Sequence, residues 1–237
     1  VIPDVASYSA AIRALGKGSE WQHSLNLLAV VQKSKLSPDV ISYNATISSC
    51  KKGGEWQQAL SLFETMQISQ ISPDVIGYSA TISACGNGGE WQRALRLFAR
   101  MQDSQIKPTD IIYNATISAC GQGDEWQQSL SLFEAMPASQ IRPSVIAYNA
   151  TISACGNAGE WQRALRLFEV MQNRQIRPDV IGYSATIKAC GSEWQRSLIL
   201  FQAMQASLIS PDVIACNAAI SACGNVAEWQ QALSLFE

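Results

Sequence analysis

The sequence predicts an all-α solenoid of stacked helical hairpins, on three observations. The seven tryptophans, Trp21, Trp56, Trp91, Trp126, Trp161, Trp194 and Trp229, recur every 35 residues, save one interval of 33. Each interval holds two apolar stripes at helical spacing, and none shows the alternation of a strand. A hairpin of two such helices cannot bury both faces alone, so neighbouring hairpins must stack.

The units run 5–39, 40–74, 75–109, 110–144, 145–179 and 180–212, with a partial seventh at 213–237. They fill the chain and predict a single array. In VISYNATISSC (Val40–Cys50), the residues Val40, Tyr43, Ile47 and Cys50 share one helix face. Asp39 stands just before it, suited to a helix N-terminus in both capping chemistry and charge. KKGGE (Lys51–Glu55) supplies the turn. EWQQALSLFETM (Glu55–Met66) then places Trp56, Ala59, Leu60, Phe63 and Met66 on one face of a second helix. ISPD (Ile71–Asp74) closes the unit, because Pro73 excludes further helix. The sixth unit loses its two residues in the turn, where CGSEW replaces CGNAGEW.

Composition narrows the function. Hydrophobic residues make up 47% of the chain, yet no apolar run approaches the ~18–20 residues of a membrane helix. A formal charge of −2 gives no basic signature of the kind phosphate neutralisation usually leaves. Six cysteines (Cys50, Cys85, Cys120, Cys155, Cys190, Cys223) recur once per unit without zinc-ligand spacing. They read as small buried helix residues and reduced thiols; Cys216 stands where other units have tyrosine. The N-terminal VIPDVASYSA has neither the charged n-region of a signal peptide nor the Arg/Ser-rich character of a transit peptide. It begins inside the repeat pattern, which is compatible with a removed leader.

No residue pattern supports catalysis, a metal or a cofactor. His23, the one histidine, falls on the polar side of a second helix. Glu55, Glu90 and Glu160 open second helices, where a carboxylate complements the helix dipole. GNGGE (Gly86–Glu90) lacks the lysine of a phosphate-binding loop. The Asn-Ala-Thr triplets at Asn44, Asn114 and Asn149 match a glycosylation sequon but sit inside a helix. Arg93, Arg96 and Arg100 form a charged stripe that reads as a solvated face.

Small polar residues vary where the framework does not. The fifth residues of the units are Ser9, Asn44, Ser79, Asn114, Asn149, Ser184 and Asn217. The closing residues are Asp39, Asp74, Thr109, Ser144, Asp179 and Asp212. Stacking brings the close of one unit against the first helix of the next, so each unit offers a small hydrogen-bonding pair of changing identity. That geometry suits reading a regular polymer, one element per repeat.

The 35-residue period, the V-I-x-Y-N/S-A-T-I opening, the A-L-x-L-F core and the closing I-x-P-D resemble the pentatricopeptide repeat family over the whole chain. The resemblance implies a right-handed superhelix whose first helices line an RNA-binding groove, and one base of single-stranded RNA per repeat. It implies a chloroplast or mitochondrial setting, with no small-molecule substrate. It also implies that the fifth and closing residues select the base. Asn44 with Asp74, and Asn149 with Asp179, then prefer U, while Asn114 with Ser144 prefers C. Ser9 with Asp39, and Ser184 with Asp212, lean toward G. Ser79 with Thr109 indicates a purine and Asn217 a pyrimidine, giving the target 5′-G-U-R-C-U-G-Y-3′.

The family wedges bases between apolar second residues, which here are Ile41, Ile76, Ile111, Ile146, Ile181 and Ile214, with Ala6 a weaker wedge. Lys17 and Lys52 match its phosphate-contacting lysine; Asn87, Gln122 and Asn157 do not. Weak salt dependence is therefore expected. Two rival readings stay open. One is a protein-binding scaffold like the tetratricopeptide solenoids. The other is part of an enzyme whose catalytic domain lies elsewhere.

Overall fold

The computed structural model describes residues 4–18, 20–34, 36–191 and 193–224. Among them lie thirteen α-helices and no strand. In chain order these are α1 (Val5–Lys17), α2 (Trp21–Lys33), α3 (Val40–Lys52), α4 (Trp56–Ile68), α5 (Val75–Asn87), α6 (Trp91–Asp103) and α7 (Asp110–Gln122). They continue as α8 (Trp126–Ala135), α9 (Val145–Asn157), α10 (Trp161–Asn173), α11 (Val180–Ala189), α12 (Trp194–Ala206) and α13 (Val213–Gly224). The second helix expected after α13, with Trp229, lies outside the described residues. Two compact units partition the chain, Val1–Ala119 and Cys120–Glu237.

Helix starts follow the chemistry of the closing residue. Asp4, Asp39, Asp74 and Asp179 each cap a first helix, accepting from the backbone N–H three residues on. Asp212 accepts likewise from Ala215 at 2.8 Å. These bonds satisfy N–H groups that the helix itself leaves open. Glu55, Glu90, Glu125 and Glu160 precede second helices but make no side-chain cap bond, so their contribution is electrostatic.

The KKGGE turn is tighter than the sequence implies, because α3 continues through Lys51 and Lys52 and the chain turns on Gly53 and Gly54. Gly54 takes φ +78°, a left-handed conformation that glycine adopts without a Cβ penalty. Second helices end with a left-handed residue at Gln70, Gln105, Gln140, Gln175 and Leu208. The isoleucine after it donates back to the helix, as Ile71 does to the Met66 carbonyl at 3.0 Å. Pro137 ends α8 early and leaves a short 3₁₀ turn, Pro137–Ser139. The two-residue deletion shortens α11 to Val180–Ala189.

Within each unit, a second helix packs against its own first helix and the next one: α4 touches both α3 and α5, and α10 touches both α9 and α11. The expected stripe residues form this core, with Tyr43, Ile47, Cys50, Ala59, Phe63 and Met66 all buried. Edge-on aromatic pairs clamp junctions between hairpins wherever the second helix supplies a phenylalanine and the next first helix a tyrosine. Phe63 meets Tyr78 with ring centres 4.9 Å apart, and Phe168 meets Tyr183 at the same distance. First helices also approach one another directly. A Cβ placed on Gly86 would lie 2.9 Å from the Ala119 methyl, and one on Gly156 would lie 2.7 Å from that of Ala189.

The arginine stripe is not merely solvated. Arg93 lies over the Trp56 ring at 5.3 Å, Arg163 over Trp126 at 4.8 Å and Arg196 over Trp161 at 5.0 Å. Each is a cation–π contact reaching back to the preceding hairpin.

Candidate functional site

The exposed edge of the first helices joins two kinds of residue. Ile41, Ile76, Ile111, Ile146, Ile181 and Ile214 are 50–63% exposed, although the residue after each is buried. β-Branched side chains held in water at one helical position are available to an apolar or aromatic partner.

Three residues along each helix lies the polar position. Asn44 Nδ2 donates to Asp74 Oδ1 at 2.8 Å, and Asn149 repeats the bond to Asp179 at 2.8 Å. Ser184 Oγ donates to Asp212 Oδ1 at 2.8 Å, and Ser9 Oγ to Asp39 Oδ1 at 3.2 Å. Residues some 30 positions apart in sequence are thus brought together by stacking alone. Among the described residues, no hydrogen bond joins Ser79 to Thr109, both half-buried. Asn114 belongs to the first compact unit and Ser144 to the second. Asn217 is exposed on α13, and the sequence holds no closing residue for it.

The shared carboxylate oxygen does two jobs. Asp74 Oδ1 receives the Gly77 N–H at 2.9 Å and the Asn44 amide together, so the cap that starts α5 also fixes the fifth residue of α3. At Asp39, burial pushes the carboxyl upward in pKa. Hydrogen bonds from the Ser42 hydroxyl, the Ser42 N–H and the Ser9 hydroxyl outweigh it and hold the group below its ordinary value. The asparagines are more enclosed than a surface stripe would be. Asn44 and Asn149 are each 6% exposed, and their Oδ1 atoms have no hydrogen-bond partner.

Lys52 donates to the Gly16 carbonyl at 2.8 Å, bridging the ends of two first helices. The Lys17 side chain lies outside the described residues. Sequence reasoning passed over Lys188, which replaces the serine of the repeated T-I-S-A-C. It is exposed, donates to Asn157 Oδ1 at 3.1 Å, and borders a ~360 Å³ groove with Ile214 and Asn217. Its signal was the lysine in TIKAC (Thr186–Cys190) where other units have TISAC. Among the described residues no cluster of His, Cys, Asp and Glu could hold a metal ion, and no helix is long and apolar enough to cross a membrane.

Comparison with known proteins adds a family and a set of folds. The profile of the pentatricopeptide repeat domain matches residues 61–123 and 131–193, and that of the PPR repeat matches 41–71 and 111–141. No curated protein sequence matches the chain. The crystal structure of the maize pentatricopeptide repeat protein PPR10 superposes with TM-score 0.75 at 22% identity, over 98% of this chain and 34% of that one. PPR10 in complex with an 18-nt psaJ RNA element gives TM-score 0.72 at 24% identity, over 99% and 33%. The PPR domain of Arabidopsis thaliana protein-only RNase P 1, in complex with tRNA, gives 0.64 at 15% identity, over 78% and 95%. The chain therefore spans about a third of the PPR10 structures it matches.

Proposed function

Because the chain belongs to the pentatricopeptide repeat family, we propose that it binds single-stranded RNA sequence-specifically, one base per repeat, and acts as a binding module rather than an enzyme. The observation that supports this best is the repeated polar pair beside an exposed isoleucine. Four pairs are hydrogen-bonded in one way, with residue identities that change from repeat to repeat.

The chemistry of the pairs favours different bases. Asn44 uses one amide proton on Asp74 and keeps a second, while Asp74 has another oxygen beside it. A donor next to an acceptor complements uracil, whose pairing edge sets a carbonyl beside an N–H. In the Ser184/Asp212 pair the carboxylate dominates, suiting the adjacent N–H donors of guanine. Asn114 with Ser144 offers no charge, which suits the mixed edge of cytosine. The exposed isoleucines would lie between successive bases. On this reading the target is 5′-G-U-R-C-U-G-Y-3′, with RNA processing, stability or translation as the setting.

Selection from a randomised single-stranded RNA pool tests the reading, and enrichment of that string is expected. The double substitution Asn114→Ser with Ser144→Asp should then switch the fourth base from C to G and leave the others unchanged. Enrichment of no motif, or equal affinity for both RNAs before and after, would move the function to protein scaffolding.

A further inference from the structure

Two first helices carry a cation at a place where every other repeat has serine. The ninth residues of the units are Arg13, Ser48, Ser83, Ser118, Ser153, Lys188 and Ser221. Arg13 and Lys188 fall in the two units whose polar pair is serine with aspartate, Ser9/Asp39 and Ser184/Asp212. Each follows its serine by four residues, which sets the two side chains one turn apart on one face of the helix.

The surroundings of Lys188 leave its charge open to a ligand. Among the described residues it is exposed, and its one hydrogen bond goes to a neutral acceptor, Asn157 Oδ1. Neither Lys188 nor the exposed Arg13 joins an ion pair among those residues. Lys188 also borders the groove between α11 and α13 together with Ile214. On the reading above, the sixth base lies between Ile181 and Ile214.

A carboxylate answers only half of guanine's polar edge. Asp212 would accept from the N–H groups at N1 and N2, but the neighbouring O6 and N7 are acceptors and need a donor. Enclosed beside an isoleucine without one, the O6 carbonyl would lose its water and gain nothing in return. An ammonium or guanidinium one turn along the helix supplies that donor. Adenine sets an amino group where guanine has O6, so a cation there favours guanine.

We propose that Arg13 and Lys188 are specificity-determining residues for guanine, each donating to the O6 and N7 acceptors of the base whose N–H groups face the Ser/Asp pair of its repeat. This rests on the base-reading role above and adds to it the contact that separates guanine from adenine.

The test measures affinity for four RNAs that differ only at the sixth base of 5′-G-U-R-C-U-G-Y-3′, and for four that differ only at the first. Lys188→Met keeps an apolar stem and removes the donor. It should lower affinity for G at the sixth position about tenfold, the worth of one good base contact, and leave A, C and U there within about twofold. Arg13→Met should do the same at the first position and not at the sixth. Lys188→Arg should keep the preference for G. The readout is a ratio between bases, which a general loss of fold stability does not move. A Lys188→Met loss equal for all four bases, with the salt slope lowered by about one, would mark a phosphate contact and overturn the proposal. An unchanged preference for G over A would overturn it too. Absence of any G preference at the sixth position in the parent chain would instead remove the base-reading function on which it rests.

Discussion

Replacing Phe63 with alanine separates packing from reading. Phe63 is fully buried, and its ring stands edge-on to Tyr78 across the α4–α5 junction, at 67° between planes. Truncating a buried phenylalanine costs ~3–5 kcal/mol, of which ~0.5–1.5 kcal/mol belongs to the aromatic pair itself. The upper part of that range is expected, because flanking helices anchored at both ends by caps and turns cannot collapse into the space. Urea unfolding followed by far-ultraviolet circular dichroism reads the effect. With an m-value of ~2 kcal/mol/M, a loss of ~4 kcal/mol moves the midpoint of the first unit's transition down by ~2 M. The matched control is Ile76→Ala, two residues before Tyr78 but 60% exposed, which should stay within ~0.5 kcal/mol of the parent. A Phe63→Ala shift below ~0.5 M, or a control as damaging as the test, would refute the clamp.

Two further outcomes follow from contacts between units and from burial. Gln58 occupies in α4 the place that Arg93 holds in α6, and Gln58→Arg should lay a guanidinium over Trp21, raising stability by ~0.5–1 kcal/mol in the same denaturation assay; no gain would show that the stacks of Arg93 and its relatives are incidental. Desolvation raises the thiols of Cys50, Cys85, Cys155 and Cys190 to about 11 and Cys120 to about 12, so their contribution to stability is complete below the unfolded thiol value of ~8.5 and is lost as pH rises toward the folded values. Thiol labelling of the native chain near neutral pH should accordingly reach the half-buried Cys216 first, and uniform labelling of all cysteines would contradict the packing.

The helical plan could be read from the sequence because its signals are local. Tryptophan spacing gave the period, Pro73 and its counterparts gave the closes, and Asp39 and its counterparts gave the starts. The polar pairs were legible once the period was known, since stacking brings the fifth residue of one unit to that unit's own close. What escaped depends on side-chain packing between units. The stack of Arg93 on Trp56 joins residues on different hairpins, and an isolated helical wheel places Arg93 in water. The enclosed Asn44 turns its Oδ1 toward Gly77, whose missing side chain leaves no mark in a hydrophobic pattern. The Pro137 break was visible in the sequence, but the strength of the surrounding repeat concealed it.

The close seating of Gly86 on Ala119, and of Gly156 on Ala189, sets a length. Bare backbone against a methyl group fixes the interval between successive first helices, and with it the step between successive isoleucines and polar pairs. A nucleotide chain has its own step, so a reader built of repeats must keep the two in phase. On the proposed reading, a wrong side chain in one of the polar pairs garbles one letter. A larger residue at Gly86 or Gly156 would change the step itself, and the mismatch would accumulate over every letter beyond it.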